Sequence, residues 1–238
     1  MSTTVKYLKE YQEPNHLVKS IDLVFELDNT QTKIFSTITF DSSDNQNQDL
    51  LLNAESLIIK KVEIDGEDTP YSYEDDLLRI ENFPNRCTLT IENEIDPESN
   101  TALDGLYKSD TIFCTQNEPE GFRRITPYLD RPDVMAKFTT KIIADKRLYP
   151  VLLSNGNKID SGELSGGKHF VTWEDPFKKP AYLYALVAGD LGLVEDTFTT
   201  MSGREIALEI YCDKGDEPKC EHAMTSLKNA MKWDEERF

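Results

Sequence analysis

The stretch Ile21-Asp22-Leu23-Val24-Phe25-Glu26-Leu27-Asp28-Asn29 decides the fold class. Ile21, Leu23, Phe25 and Leu27 alternate with other residues at a period of two, the spacing of a strand with one buried face. Asp28-Asn29 is a turn signal, and beyond it Ile34, Ser36, Ile38 and Phe40 begin a second alternation. Two alternating runs about a short polar break read as a β-hairpin. Shorter runs follow at Leu57 to Ile64, Leu77 to Ile80 and Thr88 to Ile95, closed by Asp65-Gly66 and Asp96-Pro97. Turn signals at this interval, with no competing helical period, predict an antiparallel sandwich or barrel.

Residues 101–133 carry Gly105, Pro119, Gly121, Pro127 and Pro132 among many polar residues and read as a long non-repetitive segment. Long segments of this kind in compact domains often carry function. Strands resume at Phe138 to Ala144 and Val151 to Leu153, the latter ending at Asn155-Gly156. Ser165-Gly166-Gly167 turns the chain into His169-Phe170-Val171-Thr172-Trp173, and Ala181 to Ala188 reads as one buried strand. A further hairpin is expected from Phe198 to Tyr211 about Ser202-Gly203. Glu217 to Arg237 then reads as a helix, with Asp216 as N-cap, Pro218 in the first turn, and Met224, Leu227 and Met231 on one face. Trp173 and Trp233 are expected to anchor cores. The change of character near Asp190 marks the expected domain boundary: 1–190 as a β domain, 191–238 as the start of a second.

Composition narrows the function classes. Against 26 Lys and Arg stand 44 Asp and Glu, a formal net charge of -18 over 238 residues. Such a surface repels phosphate backbones, so nucleic acid is not an expected partner. No run approaches the ~20 apolar residues of a membrane helix, and Met1 to Lys6 lacks an apolar leader core. The expectation is a soluble, cytoplasmic protein with no membrane partner. Cys87, Cys114, Cys212 and Cys220 match no zinc-ribbon spacing, and His16, His169 and His222 share no helical spacing, so no metal site is expected within the chain.

Two local patterns invite chemistry. Gly162-Glu163-Leu164-Ser165-Gly166-Gly167-Lys168 has the G-x-x-x-x-G-K skeleton of a phosphate loop. His169 stands where the Mg²⁺-binding hydroxyl residue belongs, and a strand pattern follows where a helix is required. It reads as a hairpin turn. Glu118 and Glu120 sit on the Pro/Gly-bounded segment and would suit a protonated amine; the plainer alternative is solvated charge or pairing with Arg123 and Arg124. Asp130-Arg131-Pro132-Asp133 reads as a loop-fixing salt bridge.

Several segments together resemble the aminopeptidase N family, zinc metallopeptidases of the gluzincin type, in its bacterial alanyl aminopeptidase branch. They include Thr101-Ala-Leu-Asp-Gly-Leu-Tyr107, Cys114-Thr-Gln-Asn-Glu-Pro-Glu-Gly-Phe-Arg-Arg124, Tyr128-Leu-Asp-Arg-Pro-Asp133, Trp173-Glu-Asp-Pro-Phe177, Tyr182-Leu-Tyr-Ala-Leu-Val-Ala-Gly-Asp190 and Ser226 through Phe238. The resemblance implies a mainly β fold, with a saddle-like antiparallel β-sandwich domain followed by the first hairpin and helix of an incomplete thermolysin-like α/β domain. It implies one Zn²⁺ per complete enzyme and peptide substrates with free N-termini. The family's Gly-Ala-Met-Glu-Asn and His-Glu-x-x-His motifs fall beyond the position matching Phe238, so the chain alone is expected to be inactive and to partner the missing catalytic domain. Glu118 matches the family glutamate that binds the substrate α-amino group, and Gln116 the neighbouring pocket position. The alternative expectation is a free-standing, non-catalytic β-rich binding or interaction module.

Overall fold

The structure, a computed structural model, describes residues 7–42 and 48–238; Met1 to Lys6, which lack an apolar leader core, lie outside them. Strands hold 54% of the residues and helices 15%, so the fold is mainly β.

The chain runs β1 (Val18–Glu26), β2 (Thr32–Asp41), β3 (Gln48–Asn53), β4 (Ile58–Ile64), β5 (Glu67–Asp68), β6 (Ser72–Glu74), β7 (Leu77–Phe83) and β8 (Arg86–Ile95). It continues through β9 (Gly105–Ser109), β10 (Ile112–Gln116), β11 (Met135–Asp145), β12 (Val151–Ser154), β13 (Asn157–Glu163), β14 (Lys168–Pro180) and β15 (Leu186–Gly189). The hairpin β16 (Leu191–Thr199) and β17 (Glu205–Asp213) precedes helix α1 (Glu221–Arg237). An eight-stranded sheet has the order β13-β14-β11-β1-β2-β8-β4-β5. Smaller sheets are β3-β7-β6 and β12-β15-β10-β9, and β16-β17 forms its own two-stranded sheet.

The decisive hairpin forms as its pattern predicts. Ile21, Phe25, Ile34 and Ile38 are fully buried, and Leu23 nearly so. Each such side chain contributes about 1.5–3 kcal/mol by leaving water. Asp28 Oδ1 accepts the N–H groups of Thr30 and Gln31, each at 3.1 Å, which fixes the turn chemically. Leu50, Leu52, Leu78 and Ile80 of the three-stranded sheet join the same core. The G-x-x-x-x-G-K run is a hairpin turn between β13 and β14, closed by Leu164 N–H on the Lys168 carbonyl at 2.8 Å.

Five expectations need correction. The sheet is not antiparallel throughout: β1 lies parallel to β11 over seven residue pairs, Ser20 with Lys137 through Glu26 with Ile143. The 101–133 segment contains the hairpin β9–β10, whose Asp110 turns at φ 53°. Ala181–Ala188 is not one strand. A 3-10 turn at Ala181–Leu183, with Tyr184 N–H on the Ala181 carbonyl at 3.0 Å, precedes β15. The C-terminal helix begins with a 3-10 turn at Glu217–Cys220, where Asp216 caps through its carbonyl (Lys219 N–H, 2.9 Å) and spends its carboxylate on Lys219 Nζ at 2.6 Å. Trp173 packs against the core and donates Nε1–H to the Leu152 carbonyl at 3.1 Å, but Trp233 is 60% exposed.

Candidate functional site

The segment holding Glu118 is pinned at both ends by groups the chain cannot easily release. Upstream, β10 pairs with β9 along its length and with β15 at Phe113 and Cys114. Thr115 Oγ1 accepts Leu186 N–H at 2.9 Å. At the strand end Asn117 turns inward, is buried, and donates its side-chain amide to the Tyr184 carbonyl at 2.7 Å. Asn155 holds the other side of that turn, accepting Ala185 N–H at 2.7 Å and donating to the Leu183 carbonyl at 3.1 Å. Buried polar groups with partners of this kind are costly to free.

Downstream, Gly121 donates its N–H to the Asn117 carbonyl at 2.9 Å, closing the loop over Glu118-Pro119-Glu120. A Cβ on Gly121 would stand 2.8 Å from Asn117 Cα and in collision with the Gln116 carbonyl and the Asp104 carboxylate. Only glycine fits. Gly121→Ala is therefore expected to destabilise the chain by about 1–3 kcal/mol through forced backbone movement. Urea denaturation of the two chains side by side checks this, and an unchanged midpoint would show that the loop is not tightly seated.

Phe122 then opens a 3-10 turn, Phe122–Arg124, and its fully buried ring meets Tyr128 at 5.1 Å, Tyr184 at 5.3 Å and Phe138 at 5.9 Å. The segment is also sewn to the three-stranded sheet. Asn53 and Tyr128 exchange main-chain hydrogen bonds at 2.8 and 3.0 Å, and Glu55 N–H reaches the Arg123 carbonyl at 2.9 Å.

Charges sort themselves on this frame. Arg123 donates Nε–H to the buried Asp130 carboxylate at 2.9 Å and Nη2 to the Asp130 carbonyl at 3.1 Å; its Nη1 lies 3.4 Å from Glu120. Arg124 pairs with Glu55. Both arginines are thus engaged, and among the described residues no cation pairs with the exposed carboxylate of Glu118. Gln116 is brought beside it, its side-chain amide donating to the Glu118 carbonyl at 3.0 Å. The Asp130–Asp133 run fixes loops: Arg131 Nε–H reaches Asp133 at 2.9 Å, Arg131 Nη2 the Gln12 carbonyl at 2.7 Å, and Tyr11 O–H Asp133 at 3.0 Å.

Burial pushes the Asp130 carboxyl above the usual carboxylate range, and the hydrogen bonds and charge of Arg123 only partly counter it. Sequence reasoning missed Asn117, Asn155 and the Arg123–Asp130 pair. Asn155-Gly156 gave a turn signal only, and nothing in a polar run marks one asparagine as buried.

Among the described residues no three His, Cys, Asp or Glu side chains gather to hold a metal. His16 lies edge-on to Phe40 and Phe83, with ring centroids 6.3 and 5.3 Å away, and Nε2 of His169 faces the Tyr149 carbonyl at 2.8 Å. The zinc implied by the resemblance therefore does not fit this chain's own described residues. Among them, too, no helix is long and apolar enough to cross a membrane.

Residues 10–183 match the family model of the peptidase M1 N-terminal domain. Aminopeptidase N of Escherichia coli is 54% identical over 234 residues, which are 98% of this chain and 27% of that protein. Aminopeptidase N of Haemophilus influenzae is 46% identical over 242 residues, 100% of this chain and 28% of that protein. Among solved structures, aminopeptidase A of Legionella pneumophila, crystallised in complex with aspartic acid, superposes with a TM-score of 0.91 at 36% identity, covering 98% of this chain and 28% of that one. An M1 zinc metallopeptidase from Deinococcus radiodurans, 16% identical with a TM-score of 0.72, covers 84% of this chain and 48% of its own and shows the shared fold. The chain belongs to the M1 peptidase family, and it spans about a quarter of the length of the curated relatives it matches.

Proposed function

We propose that this chain is the N-terminal portion of a zinc-dependent aminopeptidase that removes N-terminal residues from peptides, and that Glu118 binds the substrate's free α-ammonium group. The observation carrying this reading is the sorting of charge around 118–130. Glu120, Asp130 and Glu55 take the two arginines, and Glu118 is left as an unpaired carboxylate on a loop that Asn117 and Gly121 hold in place. A fixed anion with no internal partner suits a ligand cation, because little reorganisation is needed when the cation arrives. Gln116 sits at the neighbouring position, where it would line the pocket for the first substrate residue.

The remaining parts of the reading are proposals that family membership supports. Residues 1–190 are proposed as the β domain and 191–238 as the start of the catalytic domain, whose further chain would supply the zinc ligands. The exposed Leu227 and Trp233 of α1 are apolar surface that such further chain would cover, which favours this reading over a free-standing module. The 238-residue chain alone is accordingly proposed to be inactive, and the complete enzyme cytoplasmic.

Glu118→Ala in the complete enzyme tests the assignment. A charge-assisted hydrogen bond contributes about 1.5–3 kcal/mol, so kcat/KM for unblocked peptides should fall roughly 10- to 150-fold, chiefly through KM. Unchanged kinetics would remove Glu118 from the site.

A further inference from the structure

Cys212 and Cys220 are far from the amine-binding loop in sequence and play no part in the reading above. Cys212 lies near the end of β17, opposite Gly192 of β16. The 3-10 turn Glu217–Cys220 folds back over this end of the hairpin, and the Glu217 carboxylate occupies the space that a side chain on Gly192 would need. Glu217 also accepts Gly215 N–H at 2.7 Å, which holds the turn in that position. Cys212 and Gly192 are cross-strand partners and so share one face of the hairpin, and Cys220 follows Glu217 by three residues in the 3-10 turn and so shares its face, which turns the two thiols toward the same space; Cys220 Sγ lies 3.7 Å from the Asp216 carbonyl. Both cysteines are half-buried, within reach of a small reagent, whereas Cys87 is buried and Cys114 contacts Tyr107 in another sheet.

We propose that Cys212 and Cys220 are a reversible covalent modification site, at which a low-molecular-weight disulfide such as oxidised glutathione joins them into an internal disulfide that clasps the start of α1 to β17. The chemistry balances without further reagents. The Cys220 thiolate attacks one sulfur of the small disulfide, forming a mixed disulfide and expelling one small thiolate. Cys212, once deprotonated, attacks the Cys220 sulfur, the S212–S220 bond forms, and the second small thiolate leaves; the two cysteine protons end on the two released thiols. Two protein thiols are oxidised and one small disulfide is reduced to two thiols.

The order of attack follows from the surroundings. Burial, the neighbouring Cys220 thiol and the carboxylates of Glu217 and Asp216 push the Cys212 thiol up to about 11, so it is a poor first nucleophile. Once Cys220 is capped, its own contribution to that rise is gone and Cys212 can resolve the adduct. A disulfide tolerates only a narrow range of Cα and Cβ separations, so two cysteines facing one space across a folded-back turn meet a condition that most cysteine pairs do not.

The clasp has a structural consequence because α1 is thinly held. Its contacts with the hairpin include the Lys228–Asp196 ion pair and Glu235 accepting Met201 N–H at 3.1 Å, and Met224 is the buried residue of the helix. Closing the short loop from Cys212 to Cys220 restricts the opened state, and the loop-entropy relation gives roughly 50- to 100-fold rarer opening of the turn and first helical residues.

The test exposes the 238-residue chain to oxidised glutathione at neutral pH. It then reads intact mass, free thiols in denaturant, the peptide map and amide hydrogen exchange. The expected result is a fall from four free thiols to two, a mass lower by two hydrogens, a 212–220 cross-linked peptide, reversal by dithiothreitol, and slowed exchange at 217–225. Cys212→Ser should stop at a glutathione adduct on Cys220, and a Cys87→Ser, Cys114→Ser chain should still form the bond. Four thiols remaining, adducts without an internal bond, or a cross-link to Cys87 or Cys114 would overturn the pairing. A bond formed with unchanged exchange would overturn the clasp.

Discussion

Truncating Phe122 to alanine is expected to cost the chain about 3–5 kcal/mol, the range for a large aromatic removed from a closed core. The ring is fully buried and touches three other aromatic rings, Tyr128, Tyr184 and Phe138, with centroids between 5.1 and 5.9 Å. Those neighbours come from three different parts of the chain: the irregular segment itself, the 181–185 turn and β11. None can move into the space without giving up its own contacts, so the cavity should persist rather than collapse. Phe122→Leu keeps most of the volume and should lose far less, under about 2 kcal/mol. Equilibrium urea denaturation of both variants checks the ordering. Equal losses would mean that the aromatic edge contacts, not the filled volume, hold the site. Because Phe122 follows Gly121 directly, the alanine variant should also loosen the Glu118 loop, and under the proposed amine-binding role of Glu118 a complete enzyme carrying it would lose affinity for unblocked peptides.

That loop shows where the sequence is legible and where it stops. Ile21 through Phe40 could be read at sight because alternation is local: the residues that decide the strands lie within the strands. The Ser202-Gly203 and Asn155-Gly156 turns were legible for the same reason. Strands β9 and β10 were not, because each is five residues long and ends in two polar residues, Lys108 and Ser109 in β9 and Thr115 and Gln116 in β10, which blur any period of two. The parallel pairing of β1 with β11 joins residues more than a hundred positions apart and leaves no trace in either strand alone. Ala181 to Ala188 is apolar enough for a strand, but Asn155 captures the main chain at Leu183 and Ala185 and bends it. Tertiary capture of this kind overrides local propensity.

The candidate site was legible only in part. Family resemblance singled out Glu118 and Gln116. What the residues alone left open, whether Glu118 and Glu120 are paired with Arg123 and Arg124, was decided by Asp130 and Glu55, which take the arginines from different elements. Glu120 shares Arg123 at 3.4 Å, and Glu118 has neither arginine. Two glutamates two residues apart in one loop thereby acquire different chemistry, a distinction that lies in the fold and not in their neighbours in sequence.

The same pair yields the second large effect. Arg123→Leu should destabilise the chain by about 3–5 kcal/mol at pH 7, because it leaves Asp130 buried and ionised without its cation. Asp130 is 5% exposed and would keep only the main-chain N–H of residue 123, 3.2 Å from its carboxylate in the parent chain. Its carboxyl already sits above the usual range, with burial as the largest cause. Removing Arg123 deletes the attraction that opposes burial, so the folded-state value rises further. A folded-state value raised above the unfolded one means that the native chain binds the proton more tightly. Stability is then lost as pH rises from the unfolded carboxylate range through the folded value, and regained on the way down. The deficit of Arg123→Leu should therefore shrink between pH 7 and pH 5 as Asp130 takes up a proton. Adding Asp130→Asn to the same chain should recover part of the loss at pH 7 and flatten the pH dependence, since no charge is left to bury. Denaturation at the two pH values, for the parent and both variants, separates the causes. A deficit equal at pH 5 and pH 7 would show that Arg123 acts through packing of its stem and not through the charge it brings to Asp130.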